Sequence, residues 1–382
     1  MGPERSRLRV LMLIGKMVHG GGAERTMVAL ATHLPRDRFD VTIATTRPSA
    51  GPLLERVHAN GIRHLALDRR HRLDVAAFRR LGRFLRQERI DVLHSHLFGS
   101  NLWGSIFGRL TSVPAVIAHE HTWSYEGQPW RRVLDGQIIG RLADTFVSVS
   151  ERDRARMIEL ERVPARKVVV LPNPYIPRTG QGEVDLRRQL GLAPDAPVVA
   201  TAAVLRPQKA LEVLVDAFAE VAAALPDAVL VIAGDGPCRA ALEQRVRDRR
   251  LAERVTFLGW FNDVTSLLAA ADVAALSSDY EGAPLFALEC MVHRTPLVST
   301  DVGNVAETFG DGRGVTIVPR RDPAALGAAV TALLRDADRR AAQAAVAAER
   351  MQRYQVDNVV GEFAALYERL VFDGAARRRR SG

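Results

Sequence analysis

The chain has 382 residues, 47% of them hydrophobic and 25% charged, which is more than one hydrophobic core ordinarily holds and predicts two globular domains. Its apolar runs are short and interrupted, as where Lys16 cuts the run from Val10, so the sequence excludes a membrane-spanning helix; no uninterrupted apolar stretch follows Met1 as a secretory leader would, and a cytoplasmic location is expected. The net charge of +9 calls for an anionic partner without choosing between nucleic acid, membrane and small substrate, while Cys238 and Cys290 lie outside any metal or disulfide spacing and read as buried small side chains.

In chain order, short β-branched runs alternate with longer amphipathic stretches, the rhythm of parallel βα units. Strands are expected at 8–14, 41–45, 92–94, 115–119, 145–149 and 168–171, with a first helix at 23–34, making one doubly wound sheet. The Pro- and Gly-rich segment from Pro172 to Gly182 breaks the rhythm and reads as an interdomain linker. A second set follows, with strands at 198–204, 229–233, 255–258, 273–276, 297–299 and 315–318 and a helix at 211–225. The expected organisation is a first Rossmann-like domain over 1–175, a hinge at 176–184 and a second Rossmann-like domain over 185–350. A terminal helix over 351–372 is expected to pack back across the hinge, before a basic disordered tail over 373–382.

Several constellations bear on chemistry. Gly20-Gly21-Gly22 follows the first strand and opens the first helix, where backbone N–H groups and the helix dipole favour an anion. It is not a dinucleotide fingerprint, because Arg25 stands where a glycine is needed and no acidic residue ends the second strand. Arg206 and Lys209 sit in the turn after the first strand of the second half, at the carboxyl-end crevice where ligands bind in doubly wound sheets, and a diphosphate would neutralise them. Glu281 and Glu289 flank the start of a helix opened by Pro284; paired carboxylates also suit a glycosidase, but the neighbouring cations favour a phosphorylated ligand. His94, His96 and His119 end strands and face one cleft, yet without a Cys or a close carboxylate pair they do not make a zinc set, and Asp336-Ala337-Asp338 lies in a polar helical stretch rather than a metal-nucleotide motif.

Taken together, Gly20 to Arg25, Arg206 with Lys209, Ile232 to Pro237, Phe257-Leu258-Gly259, and Glu281 with Glu289 resemble the retaining glycosyltransferases of family 4, over about residues 8–345. The resemblance implies the α/β GT-B fold, two Rossmann-like doubly wound domains facing each other across a cleft. It implies that Arg206 and Lys209 hold the diphosphate of a nucleotide-sugar donor and stabilise the leaving group. Glu281 would bond donor-sugar hydroxyls and Glu289 the ribose, and His119 matches the family histidine near the transferred sugar. Backbone amides at Leu285 and Phe286 would meet phosphate or sugar, and Gly21 and Gly22 would admit the donor closely. The family needs no metal and no cofactor beyond the donor, for which a UDP-sugar is favoured and a GDP-sugar is the alternative. The sequence departs from the common pattern at His293-Arg294 and at Gly303-Asn304.

The resemblance also implies a glycan or lipid-linked acceptor bound by the first domain, in cell-envelope or polysaccharide synthesis; no nucleic-acid partner is expected, because no nucleic-acid motif accompanies the positive charge. Helix 74–89, with Phe78, Leu81, Phe84 and Leu85 opposite Arg79, Arg80, Arg83 and Arg86, and the loop carrying Trp123, Tyr125, Trp130, Arg131 and Arg132 are the features expected to meet an anionic membrane. For the helix, a core-facing apolar stripe with a solvated basic face is the competing reading. A GT-B-fold sugar-nucleotide epimerase and a non-catalytic binding module remain the alternative functions.

Overall fold

The computed structural model describes residues 7–18, 21–71, 74–121, 129–175, 182, 184–310 and 312–381, the side chains of 375–381 excepted. The chain divides into two compact units, the first formed by residues 1–176 with 355–382 and the second by 177–354. Each is built on one wholly parallel sheet.

In the first unit the strands are β1 (Leu8–Ile14), β2 (Phe39–Thr45), β3 (Arg63–Ala66), β4 (Val92–His96), β5 (Ala115–His119), β6 (Thr145–Ser148) and β7 (Val168–Val170), ordered β3-β2-β1-β4-β5-β6-β7. The order reverses between β1 and β4, which opens a crevice at their carboxyl ends. From Val10 to Ile14 β1 is an unbroken apolar run because both faces of a parallel sheet are covered: Val10, Met12 and Ile14 pack in one core cluster, Leu11 and Leu13 in another. β3 was not expected from the sequence. Its four residues, Arg-His-Leu-Ala, form an edge strand with exposed ends and carry no apolar alternation.

The helix Val356–Ser381 belongs to this unit. Val359, Phe363 and Tyr367, one turn apart, are fully or nearly fully buried in the same cluster as Val10 and Met12, and Gln355 pairs with Tyr175 in a parallel bridge. Its backbone stays helical through Ser381, so the terminal basic stretch is not the disordered tail expected. Alanine and arginine are good helix formers, and they extend a helix already nucleated by packing.

The second unit holds β8 (Val198–Ala202), β9 (Val229–Ala233), β10 (Val255–Gly259), β11 (Val273–Leu276), β12 (Leu297–Thr300) and β13 (Thr316–Val318), ordered β10-β9-β8-β11-β12-β13 with its reversal between β8 and β11. The Ala-rich stretch 323–350 forms two helices, Pro323–Arg335 and Ala337–Arg350, because Asp336 leaves helical geometry and caps the second by accepting from Arg339 N at 2.8 Å. Asp336 is thus a cap and not part of a metal-nucleotide motif. Cys290 is fully buried as expected, whereas Cys238 is partly exposed. Among the described residues no helix is long and apolar enough to cross a membrane.

Candidate functional site

The crevice of the second unit is stitched together by the loops that leave β8 and β11. After β8 the chain passes Arg206, makes a single 3₁₀ turn over Pro207–Lys209 and enters the helix Leu211–Ala224 through Ala210, held in the left-handed region at φ 46°. An L-residue pays roughly 1 kcal/mol there, and three cross-loop bonds hold the turn. Ser277 Oγ donates to Lys209 O at 2.9 Å, Asp279 N donates to Gln208 O at 2.9 Å, and the Lys209 ammonium pairs with the Glu281 carboxylate. Ser278 Oγ donates to the same Glu281 oxygen at 2.8 Å. Lys209 and Glu281 therefore bridge the switch point itself.

Arg206 differs from Lys209. It is exposed, and its guanidinium bonds to no described residue. One cation of the turn is neutralised internally and the other is free to meet an anion.

Two glycines fix the surrounding backbone. Gly234, at φ 136°, lets the loop after β9 close on the loop after β8; a Cβ there would stand 1.8 Å from Ala203 O. Gly303, at φ 52°, lies under the Glu281 loop, where a Cβ would stand 2.2 Å from Gly282 O. The next residue, Asn304, donates its backbone N–H to that carbonyl at 3.0 Å, so the Gly303-Asn304 departure supports the loop through the main chain. The helix Leu285–Val292 starts after Pro284 and presents the amides of Leu285 and Phe286, which have no intrahelical acceptor at a helix N-terminus. Glu289 is buried in its second turn, with 9% of its surface exposed.

In the first unit, β4 and β5 end in the same pattern, His94-Ser95-His96 and His119-Glu120-His121, with His96 in register with His119. The period of two puts the imidazoles of each pair on one face. His94 Nδ1 bonds the Tyr367 hydroxyl at 2.6 Å, His94 Nε2 meets His119 Nδ1 at 3.2 Å, and His96 Nδ1 meets His121 Nε2 at 3.0 Å. Asn101 clamps the end of β5, donating to His119 O at 3.1 Å and accepting from His119 N at 3.2 Å. Burial pushes His94 and His121 down to about 3, and His96 and His119 well below the usual histidine range, so all four rings are neutral at physiological pH.

One nitrogen from each of His94, His96 and His119 lies within 4.8 Å of the other two. Both nitrogens of His94 are already engaged, by Tyr367 and His119, so a cation held by all three rings would have to displace one of those bonds.

Comparison with known proteins decides the family. The glycosyl transferases group 1 model matches residues 183–350 and the Glycosyltransferase Family 4 model matches residues 20–177, one on each unit. The chain belongs to glycosyltransferase family 4. The UDP-Gal:alpha-D-GlcNAc-diphosphoundecaprenol alpha-1,3-galactosyltransferase of Escherichia coli is 26% identical over 302 residues, covering 74% of this chain and 76% of that protein. The D-inositol 3-phosphate glycosyltransferase of Kineococcus radiotolerans is 29% identical over 405 residues, covering 94% and 92%. The crystal structure of Anabaena Alr3699/HepE in complex with UDP superposes with a TM-score of 0.83 at 20% identity, covering 94% of this chain and 100% of that one, and shares the GT-B fold. Catalysis of glycosyl transfer is the activity the family brings.

Of the residues expected at the site of this family 4 glycosyltransferase, Lys209 and Glu281 are in direct contact, with Arg206 in the same turn as Lys209. His119 is wholly buried in the first unit, with Nε2 lacking a hydrogen-bond partner among the described residues. Gly21 and Gly22 are exposed at the start of the helix Gly22–His33, and a Cβ on Gly21 would meet nothing within 4 Å, so packing does not require glycine at Gly21. Gly20, Trp123, Tyr125 and most of the expected hinge lie outside the described residues. Ser278, Asn101, His121 and Tyr367 escaped the sequence reading, although the second His-x-His at the end of β5 was visible as a repeat of the first.

The basic helix is Val75–Gln87, capped by Asp74, and its apolar side is covered: Leu81 and Leu85 are buried in the core beneath β1 and β4, and Phe78 is buried against the rings of Trp103 and Phe107. Its apolar stripe therefore does not face lipid, and Arg79, Arg80, Arg83 and Arg86 form a solvated face.

Proposed function

We propose that this glycosyltransferase takes a sugar from a nucleotide diphosphate-sugar, a UDP-sugar first, at the β8/β11 switch point, and transfers it with retention to a hydroxyl of a glycan or lipid-linked acceptor. The observation that carries the reading is the free guanidinium of Arg206 beside the Lys209–Glu281 pair, at the carboxyl end of β8. A diphosphate placed there gains charge-assisted bonds from Arg206 and from Lys209, whose ammonium Glu281 holds in position. As the glycosidic bond breaks, negative charge grows on the leaving diphosphate, and fixed cations stabilise it most at that moment. The Leu285 and Phe286 amides, at the positive end of a helix, add to the same field. Glu289 serves the ribose. Gly21 leaves room for a ligand beside its backbone. No protein nucleophile and no metal ion takes part in this scheme.

The related proteins support the donor and acceptor classes: the E. coli relative is named for a UDP-galactose donor and a diphosphoundecaprenol acceptor, and the HepE structure holds UDP. An envelope or polysaccharide role at the inner face of the membrane follows from the same reading. Its contact with an anionic bilayer would run through Trp130, Val133 and Leu160, which are 49%, 60% and 41% exposed, together with Arg131 and Arg132. Vesicles rich in anionic lipid should retain the protein at low salt and release it at high salt, and no retention at low salt would remove the membrane part of the proposal.

Retention and metal independence are tested together by following the anomeric proton of the product by NMR with EDTA present. An α-linked donor should give an α-linked product at an undiminished rate. An inverted product, or activity restored only by a divalent cation, would overturn the mechanism.

A further inference from the structure

The second unit carries a pocket that the switch-point site does not use. It lies at the edge strand β13, two strands beyond β11, against the helix Ala337–Arg350, and has a volume of about 420 Å³, within the range of small-molecule sites. Val315 and Val346 give it an apolar wall, and Arg313 and Arg339 are exposed cations in its lining. Arg313 Nε donates to Gly310 O at 3.4 Å, which leaves its terminal nitrogens open, and the Arg339 side chain bonds to no described residue.

What marks the pocket as a built site is Gln343. It is 94% buried, its Nε2 donates to Thr316 Oγ1 at 2.6 Å, and its Oε1 has no hydrogen-bond partner among the described residues. The amide can be placed either way round; in each placement one end is bonded to Thr316 and the other is left open, as an acceptor or as a donor. A buried amide end left without a partner costs roughly 1–3 kcal/mol. A ligand hydroxyl, donor and acceptor at once, satisfies it in both placements.

We propose that this pocket binds a hydroxyl-bearing phosphate of about hexose size, its phosphate on Arg313 and Arg339, its hydroxyl on the Gln343 amide and its carbon face on Val315 and Val346. The site is separate from the nucleotide-sugar crevice and independent of the donor reading. The helix that bears Gln343 packs on the helix Leu285–Val292, so an occupant sits one helix away from Glu289.

The test is calorimetric titration of the full chain with glucose 6-phosphate, inorganic phosphate and glucose, using wild type, Arg206→Ala, Arg339→Ala and Gln343→Leu. Glucose 6-phosphate should bind wild type and Arg206→Ala alike, bind Arg339→Ala about tenfold or more weakly, and bind Gln343→Leu about tenfold more weakly while inorganic phosphate is unaffected by that change. Gln343→Leu should fold at least as stably as wild type, since it removes the unpartnered amide end. No heat from glucose 6-phosphate at millimolar concentration overturns the proposal. So does binding that Arg206→Ala abolishes and Arg339→Ala leaves intact, because the ligand would then occupy the crevice. Inorganic phosphate binding as tightly as glucose 6-phosphate overturns the role of Gln343.

Discussion

Arg206→Ala is expected to lower turnover by roughly 10²–10³-fold and to leave unfolding stability within about 0.5 kcal/mol of wild type. The two halves of this expectation come from one observation: the guanidinium is exposed at the end of β8 and bonds to no described residue, so the fold loses nothing with it. Its charge matters only when an anion arrives, and most when the leaving diphosphate gains charge. Arg206→Lys keeps the charge but not the planar fork and should recover part of the loss. Lys209→Ala cannot separate the effects, because it strands the Glu281 carboxylate, 9% exposed, with Ser278 and no cation, at a stability cost of about 3 kcal/mol. Steady-state rates alongside urea unfolding decide the matter: an Arg206→Ala enzyme turning over at the wild-type rate would remove the cation from the mechanism.

Acid should destabilise the first unit well above the carboxylate range. Buried His94, His96, His119 and His121 stay neutral in the folded state, while in the unfolded chain each takes up a proton below about 6.5. The unfolded state therefore binds more protons, and stability falls as the pH drops from about 6.5 towards 3, by up to about 1.4 kcal/mol per pH unit for each histidine. Asp153 works the other way. Burial raises its carboxyl to about 6, so between the ordinary Asp value and 6 the folded state holds the extra proton and gains stability as the pH drops. Four histidines against one aspartate leave a net loss of several kcal/mol between pH 6.5 and 5. Carboxylates held low, such as Asp74 by backbone N–H bonds from Arg70 and Ala77, lose their contribution only at lower pH. Urea midpoints at pH 7, 6 and 5 should fall steeply, and a His121→Leu variant should show a shallower slope. A flat profile over that range would mean that the rings are hydrated or already charged.

Much of this was legible in the sequence for a physical reason. Parallel strands buried on both faces read as continuous β-branched runs, so all twelve expected strands coincide with observed ones in place and differ at most at their ends. β3 was invisible because an edge strand of four residues with exposed ends needs no apolar pattern. The break at Asp336 was missed because Ala-rich stretches on both sides are equally good helices, and the cap is a matter of one carboxylate. At the site, Arg206, Lys209 and Glu281 could be placed from their positions after β8 and β11. That Glu281 pairs with Lys209 and not with Arg206, and that Tyr367 closes over His94 from 273 residues away, depends on tertiary packing that no local pattern records.

The central claim is that the β8/β11 crevice binds a nucleotide diphosphate-sugar through Arg206. Thermal unfolding of wild type and Arg206→Ala against a panel of UDP-, GDP- and ADP-sugars, with EDTA present, tests it most directly. At about 100 times its dissociation constant a donor stabilises the fold by roughly 2.7 kcal/mol. The account predicts that UDP-sugars raise the melting temperature of wild type and that Arg206→Ala loses the response. A panel in which no nucleotide-sugar shifts the wild-type melting curve, or in which the variant responds as wild type does, would contradict it.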